Sequence, residues 1–170
     1  MTNEIFDILK RSDKVAFYGV PNEDGTSYTY HRMKGFTSLS TSKNPKEYSR
    51  QYVDEDSERT DVVGYAPSMS FNLDRANGNA VHDDIIAIYD GEMLGADAVR
   101  PIVMVDMTSE TKNAVCRTFA VIPDSEGDST EAYTYSGTFR AAGERQSGTA
   151  TSADGWKTIT FNSASEYLSL

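Results

Sequence analysis

The sequence predicts a mainly β fold, a two-sheet β-sandwich or barrel-like domain with one flanking α-helix at about 80–90 and a long extended arm at about 40–62. Three features predict it: short alternating segments separated by turn residues, a single segment of helical periodicity, and one long polar interruption. A chain of 170 residues is most simply one domain. We therefore expect a single domain over 1–170, with an N-terminal segment at 1–14.

The elements predicted before the arm are one helix and two strands. Residues 3–11 place their apolar side chains close to a helical stripe, which predicts a short helix. The segment VAFYGV at 15–20 predicts a strand that ends at Pro21. The segment YTYHRMKGFTS at 28–38 predicts a second strand, bent at Gly35, and a hairpin is the economical connection between the two.

The predicted arm is defined by its composition. Between Thr41 and Asp61 the only aliphatic residue is Val53, and charges of both signs surround Tyr48 and Tyr52. Long connections without regular structure are uncommon in compact domains and are usually functional or disordered. Disorder is one interpretation, favoured by the low hydrophobicity. Tyrosines set among charges are typical of protein interfaces, which favours contact with another polypeptide. The candidate contact residues are Lys43, Lys46, Tyr48, Arg50, Tyr52, Asp54, Glu55 and Arg59.

After the arm, strict alternation of Met69, Phe71 and Leu73 with polar residues predicts a half-buried strand at 68–74. The segment AVHDDIIAIYDG predicts the helix, because its apolar residues share one face and acidic residues stand near its start. The remaining pattern is strands separated by turns. Strands are predicted at 99–107, 113–122, 132–140 and 156–161, with a polar turn or loop at 124–129 and a turn at 143–148.

Two runs of the sequence resemble the tail tube proteins of tailed bacteriophages. They are NPKEYSRQYVDEDSERTDVVGYAPSMSFNLD and YSGTFRAAGERQSGTATSADGWKTITF, and the resemblance covers most of the chain from about Gly35 onward. The resemblance implies a structural virion protein that forms stacked hexameric rings around the channel through which DNA leaves the capsid. It also implies that a long loop packs on neighbouring subunits within and between rings.

The resemblance implies partners and a location as well. The partners would be other copies of this chain and further tail proteins, namely the terminator, distal tail and tape measure proteins. DNA would pass through the tube without tight binding. The protein would be made in the host cytoplasm and end in the virion tail.

The charge distribution argues against a protein that grips nucleic acid. The net charge is −10, and residues 61–170 carry seven Lys and Arg against sixteen Asp and Glu. Tight binding to phosphates needs clusters of Lys and Arg, and the sequence contains none. An acidic surface is also a general source of solubility. A more specific interpretation is that part of the acidity faces a channel and keeps DNA from adhering.

The sequence offers little for chemistry. Cys116 is the only cysteine and is expected to be a buried strand residue. His31 and His82 lie in no metal-ligand spacing, and the acids after His82 are explained more simply by the start of a helix. The sequence contains no nucleophile elbow and no phosphate-binding glycine loop. We therefore expect a protein that is not an enzyme and has no cofactor and no metal.

The N-terminus has neither the pattern of a signal peptide nor that of a membrane anchor, so we expect a protein that is intracellular when made and has no membrane partner. A second function class remains open. A monomeric β-sandwich binding module, for example a carbohydrate-binding domain on a virion or cell surface, would also be mainly β. It would show a concave patch of aromatic residues and would not self-associate.

Overall fold

The computed structural model describes residues 7–164, which form eleven strands, one α-helix and two short 3-10 helices. The strands are β1 (Lys14–Pro21), β2 (Tyr28–Arg32), β3 (Phe36–Ser42), β4 (Pro45–Arg50), β5 (Arg59–Tyr65), β6 (Ser68–Asp74), β7 (Val99–Asp106), β8 (Asn113–Glu126), β9 (Thr134–Ala141), β10 (Gln146–Thr151) and β11 (Thr158–Ser163). The helix α1 is Ala80–Gly91, and the 3-10 helices are Arg11–Asp13 and Gly95–Ala98. The predicted class, mainly β and sandwich or barrel-like with one helix, is confirmed.

The chain divides into two compact units. The first consists of the described residues up to Lys34, Arg100–Thr118 and those from Glu144 onward. The second consists of Gly35–Val99 and Phe119–Gly143. Strand β8 thus contributes residues 113–118 to the first unit and residues 119–126 to the second. The assignment of residues 1–170 to one domain stays a prediction.

The first unit is a closed, barrel-like sheet. Its strands follow the order β10, β11, β2, β1, β7 and β8, and β10 also pairs with β8 from Gln146↔Cys116 to Thr149↔Asn113. Closure of this kind removes the free edges at which a sheet would pair with another chain. One apolar cluster fills the unit, and it contains Val15, Phe17, Val103, Val105, Ala114, Cys116, Ala150 and Ile159. Cys116 is a buried strand residue, as predicted, and its Sγ lies 3.9 Å from the hydroxyl of Tyr30.

Strand β10 corrects the prediction of a turn at 143–148. Residues 146–148 belong to this strand, which pairs on one side with β11 and on the other with β8. Its sequence, QSGTAT, is short, polar and small, so no apolar alternation marks it as a strand. Hydrogen bonding to β8 and β11 determines its conformation instead.

Two further predictions of the first unit differ from the structure. For the predicted helix at 3–11, residues 3–6 lie outside the described residues, and residues 7–10 have no regular structure. Asp13 instead accepts a hydrogen bond from the Lys10 N–H at 2.7 Å, which holds the short turn Arg11–Asp13. The second predicted strand ends at Arg32, because Gly35 has φ +78°, a left-handed conformation that interrupts a strand.

The turn between β10 and β11 depends on the carboxylate of Asp154. This carboxylate accepts hydrogen bonds from the Lys157 and Thr158 N–H groups at 3.1 and 3.0 Å and from the Thr158 hydroxyl at 2.6 Å. The hydrogen bonds from Thr158 lower the pKa of Asp154 from its ordinary 3.8 to about 2. Its charged form therefore stabilises the folded protein at neutral pH.

We expect Asp154→Ala to lower the urea midpoint of unfolding at pH 7, and the difference from the unsubstituted protein to shrink as the pH falls from 3.8 to about 2. The sign follows because the pKa of Asp154 is lower in the folded state. The stabilisation is therefore present at pH values above 3.8 and is lost as the pH falls to the folded pKa of about 2. Unfolding curves at several pH values would measure it. Asp128→Ala, in the connection at 127–133 between β8 and β9, is the control, and an equal shift in both variants would contradict this role.

The second unit contains a four-strand sheet with α1 and the segment that joins β3 to β6. Strand order is β3, β6, β9 and residues 119–126 of β8. Met69, Phe71 and Leu73 are buried on one face of β6, as their alternation predicts. The ring of Phe71 stacks on that of Phe139 with centroids 4.4 Å apart. Buried Val81, Ile85 and Ile88 make up the apolar side of α1.

The start of α1 explains two of the three residues considered for chemistry, His82 and Asp83 of the run His82-Asp83-Asp84. Asn79 caps the helix by accepting from the Val81 and His82 N–H groups. His82 is fully buried, and its Nδ1 accepts from the Ala76 N–H at 3.1 Å, so that nitrogen carries no proton. Asp83 forms an ion pair with Arg75 at 2.6 Å. These contacts connect the helix to the segment after β6, which is a structural role.

Candidate interaction surface

The predicted arm folds as a β-hairpin, which we call the arm hairpin (residues 45–65), with a tip loop at 51–58. Strands β4 and β5 pair from Pro45↔Tyr65 to Arg50↔Arg59 and, among the described residues, with no other strand. The arm is therefore extended, as expected, and most of its length is a paired hairpin, which the sequence did not indicate. Cross-strand hydrogen bonds satisfy the backbone even though the side chains are too polar to show a buried face.

The limits of the arm also change. Residues 40–42 belong to β3 and pair with β6, while β5 continues three residues beyond 62 to Tyr65. Asn44 marks the base: it has φ +45°, and its side-chain amide donates to the Ala66 carbonyl and the Ser68 hydroxyl, both at 3.1 Å. Asn tolerates this left-handed conformation better than most residues. The base of the arm hairpin is thereby attached to the sheet of the second unit.

One face of the arm hairpin is organised around Arg50. Its guanidinium lies 5.1 Å from the ring centroid of Tyr48 and 5.4 Å from that of Tyr52, donates to the Tyr52 hydroxyl at 2.6 Å, and pairs with Asp61 at 2.7 Å. The hydrogen bonds with Tyr52 and Asp61 raise the pKa of Arg50, a side chain that is charged at any physiological pH. These contacts orient two tyrosines that remain 54% and 44% exposed.

The opposite face carries exposed apolar side chains that were not predicted. A bulge places both Val62 and Val63 opposite Glu47, and Tyr65 follows at the base. Their side chains are 53%, 64% and 60% exposed. At the tip Val53 is fully exposed. The sequence did contain a signal for this face, the run DVVGY. Its β-branched residues lie at the limit of the predicted arm and favour a strand that extends the arm to Tyr65.

The predicted contact residues are distributed along the arm hairpin and its base. Lys43 precedes β4, Lys46, Tyr48 and Arg50 lie in β4, and Tyr52, Asp54 and Glu55 lie in the tip loop, with Arg59 at the start of β5. The structure brings Tyr48, Arg50 and Tyr52 together, and Arg59 lies 3.9 Å from Glu55. Lys43, Lys46 and Asp54 are exposed and join neither group. Their role in contacts between subunits stays a prediction.

The arm hairpin is suited to binding a protein surface. An isolated two-stranded hairpin is marginally stable in water, and this one exposes Tyr48 on one face and Val62 and Val63 on the other. Covering such side chains with a partner is favourable at roughly 25 cal/mol per Å² of apolar surface.

The described residues hold neither a metal cluster nor a membrane-spanning helix. Residues 7–164 contain no group of three or more His, Cys, Asp or Glu able to hold a metal ion. None of the helices described is long and apolar enough to span a membrane.

Comparison with known proteins identifies the fold. No family profile matches the chain, and no curated protein matches its sequence. Among solved structures, the chain is similar to the SPP1 tail tube determined by solid-state NMR and cryo EM, with a TM-score of 0.64 and 12% identity over 82% of this chain and 78% of that one.

A second similar structure is the tail of the empty GTA particle, determined by helical refinement with C6 symmetry. The TM-score is 0.59 at 11% identity, over 81% of this chain and 97% of that one. At such low identity the similarity concerns the fold. The chain therefore has the fold of tail tube proteins, which confirms, at the level of fold, the resemblance present in its sequence.

Proposed function

We propose that this protein is a structural, non-enzymatic subunit of a phage tail tube, which self-associates into hexameric rings that stack around a channel for DNA. The observation that carries the proposal is an exposed arm hairpin, with tyrosines on one face and valines on the other, on a tail tube fold. Such an arm has side chains that its own subunit does not cover. A neighbouring copy, in the same ring or in the next ring, buries these side chains.

The sheet of the second unit supports ring formation. Strand β3 is at the end of that sheet and pairs with β6 alone among the described residues. Its Thr37, Ser38 and Ser40 are exposed, and it contains none of the lysines or prolines that usually protect an edge. An edge strand with Thr37, Ser38 and Ser40 exposed is a site for pairing with another strand. When each copy pairs in this way with the next, a closed ring uses every edge.

The charge of the chain is consistent with a conduit. Residues 61–170 carry most of the net negative charge, and a wall of this sign would repel the phosphates of passing DNA. The protein would then act by enclosing DNA and not by binding it. Its place would be the virion tail, where other tail proteins of the kind named above would contact the ends of the tube.

Electron microscopy of the purified, concentrated chain tests the proposal. We expect rings or tubes, and class averages of end views with six subunits. Because many copies share a modest contact, assembly should depend steeply on concentration. A chain that remains monomeric in analytical ultracentrifugation at every concentration, and in the presence of tube ends as seeds, would contradict the proposal. It would favour the alternative of a monomeric binding module.

A further inference from the structure

The arm hairpin carries opposite charges at its two ends. The tip loop contains Asp54, Glu55, Asp56 and Glu58 and no Lys or Arg. At the other end Lys43 and Lys46 outnumber Glu47, and we call the two lysines together with Tyr48 the stem. Apart from the weak contact of Glu55 with Arg59 at 3.9 Å, none of these charged side chains has an ion-pair partner among residues 7–164. Each end thus has charges that remain available.

The two ends cannot pair within one chain. In the hairpin register Lys46 lies opposite Gly64 near the base, whereas Arg50 lies opposite Arg59 next to the tip loop. A strand rises about 3.4 Å per residue, so the stem lysines and the tip carboxylates are separated by roughly 15 Å or more. That distance exceeds the screening length of about 8 Å at physiological salt. The attraction between the ends is therefore only available between two copies.

The apolar groups of the two ends match as well. Lys46 and Tyr48 are two apart on β4 and share one face of the hairpin, and Tyr48 is 54% exposed. Val53 lies among the tip carboxylates and is fully exposed. The stem thus offers amines beside an aromatic ring, and the tip offers carboxylates beside an aliphatic side chain. The charges of the two ends are opposite in sign, and each end also offers an apolar group to the other. Specific protein interfaces usually combine these two kinds of complementarity.

We propose that the acidic tip loop of one copy docks on the stem of another copy, with Asp54 and Asp56 near Lys43 and Lys46 and Val53 against Tyr48. This inference rests on the proposed function, because it names the partner of the arm hairpin as the arm hairpin of a second copy. The contact is head-to-tail: each copy uses its tip for one neighbour and its stem for another. In a head-to-tail arrangement every copy has one tip contact and one stem contact, so the same contact can repeat from copy to copy.

Charge reversal in the full-length chain tests the inference. The stem variant is Lys43→Glu with Lys46→Glu, and the tip variant is Asp54→Lys with Asp56→Lys. We expect each variant alone to raise the critical concentration for assembly by about tenfold or more, since attraction becomes repulsion at every contact. Combining all four substitutions in one chain should restore assembly, because the tip then carries the amines and the stem the carboxylates.

Mixing the two variants gives the most specific result. The acidic tip of the stem variant fits the basic stem of the tip variant, and the basic tip of the tip variant fits the acidic stem of the stem variant. We therefore expect a 1:1 mixture to form tubes that contain both, which pull-down with a tag on one variant would detect. The wild-type critical concentration should also rise with salt, since the contact is screened.

Matched reversals outside the arm serve as controls. Arg145→Glu with Lys157→Glu, and Asp128→Lys with Glu131→Lys, change the charge by the same amounts at exposed positions and should assemble as the wild type does. Assembly of the stem and tip variants at the wild-type concentration would overturn the inference and leave the proposed function standing. Failure of both the combined variant and the mixture to recover would overturn it too. A wild-type chain that never assembles would instead overturn the proposed function.

Discussion

Gly148→Ala is expected to lower the free energy of unfolding by about 3 kcal/mol, at the upper end of the usual cost of overpacking. A Cβ at this position would lie 2.0 Å from the Asn162 carbonyl oxygen and 2.9 Å from Cζ of Phe161. Backbone atoms cannot move aside as a flexible side chain can, so β10 and β11 would have to separate. Because β10 also pairs with β8, that separation would open the barrel-like sheet of the first unit.

Denaturant unfolding of the purified variant would measure this effect. Gly64→Ala is the matched control, because Gly64 is also a strand glycine and the nearest atom to its added Cβ, Cδ of Lys46, is 3.8 Å away. We expect the control to change stability by less than about 0.5 kcal/mol. Equal stability of the two variants would mean that β10 does not approach β11 as closely as described.

Tyr48→Ala with Tyr52→Ala is expected to abolish assembly at concentrations where the wild type forms tubes, while the melting temperature of the monomer stays unchanged. Both rings are about half exposed within the subunit, so their loss should cost little folding stability. Buried at an interface, a tyrosine is a frequent hot spot, and its truncation costs about 2 kcal/mol, or roughly 30-fold in affinity, at each contact. Sedimentation and electron microscopy would measure the loss.

Tyr133→Ala is the control for this pair, since Tyr133 is as exposed as Tyr48, at 54%, and lies outside the arm hairpin. We expect that variant to assemble. A loss of monomer stability in the Tyr48 and Tyr52 variant would assign the rings to the core of the subunit instead. Unchanged assembly would remove the arm hairpin from the interface and with it the main support for the proposed function.

The elements with clear periodicity could be predicted closely. The alternation at 68–74 coincides with β6 to the residue, and the helix predicted at about 80–90 from AVHDDIIAIYDG coincides with α1 to within one residue. Both patterns report burial of a side chain next to its own backbone, which is a local property. Strands β4, β5 and β10 carry no such pattern, and their partners rather than their side chains make them strands.

The candidate surface could be predicted in part for the same reason. Tyr48 and Tyr52 stood out because aromatic rings among charges are conspicuous in the sequence. Val62 and Val63 did not, since two adjacent valines are ordinary core residues in most chains. Only the cross-strand register and the bulge opposite Glu47 bring them onto one exposed face.

By itself the sequence determined that the protein is mainly β, that one helix follows β6, and that residues 41–61 have too little apolar surface to be buried within their own subunit. These properties follow from composition and short-range periodicity, which set the free energy of burying each segment. Only the tertiary structure decided that the arm is a hairpin, that its two faces differ, and that β10 closes a barrel-like sheet. Strand pairing joins residues far apart in the chain, and its register depends on all of the partners together.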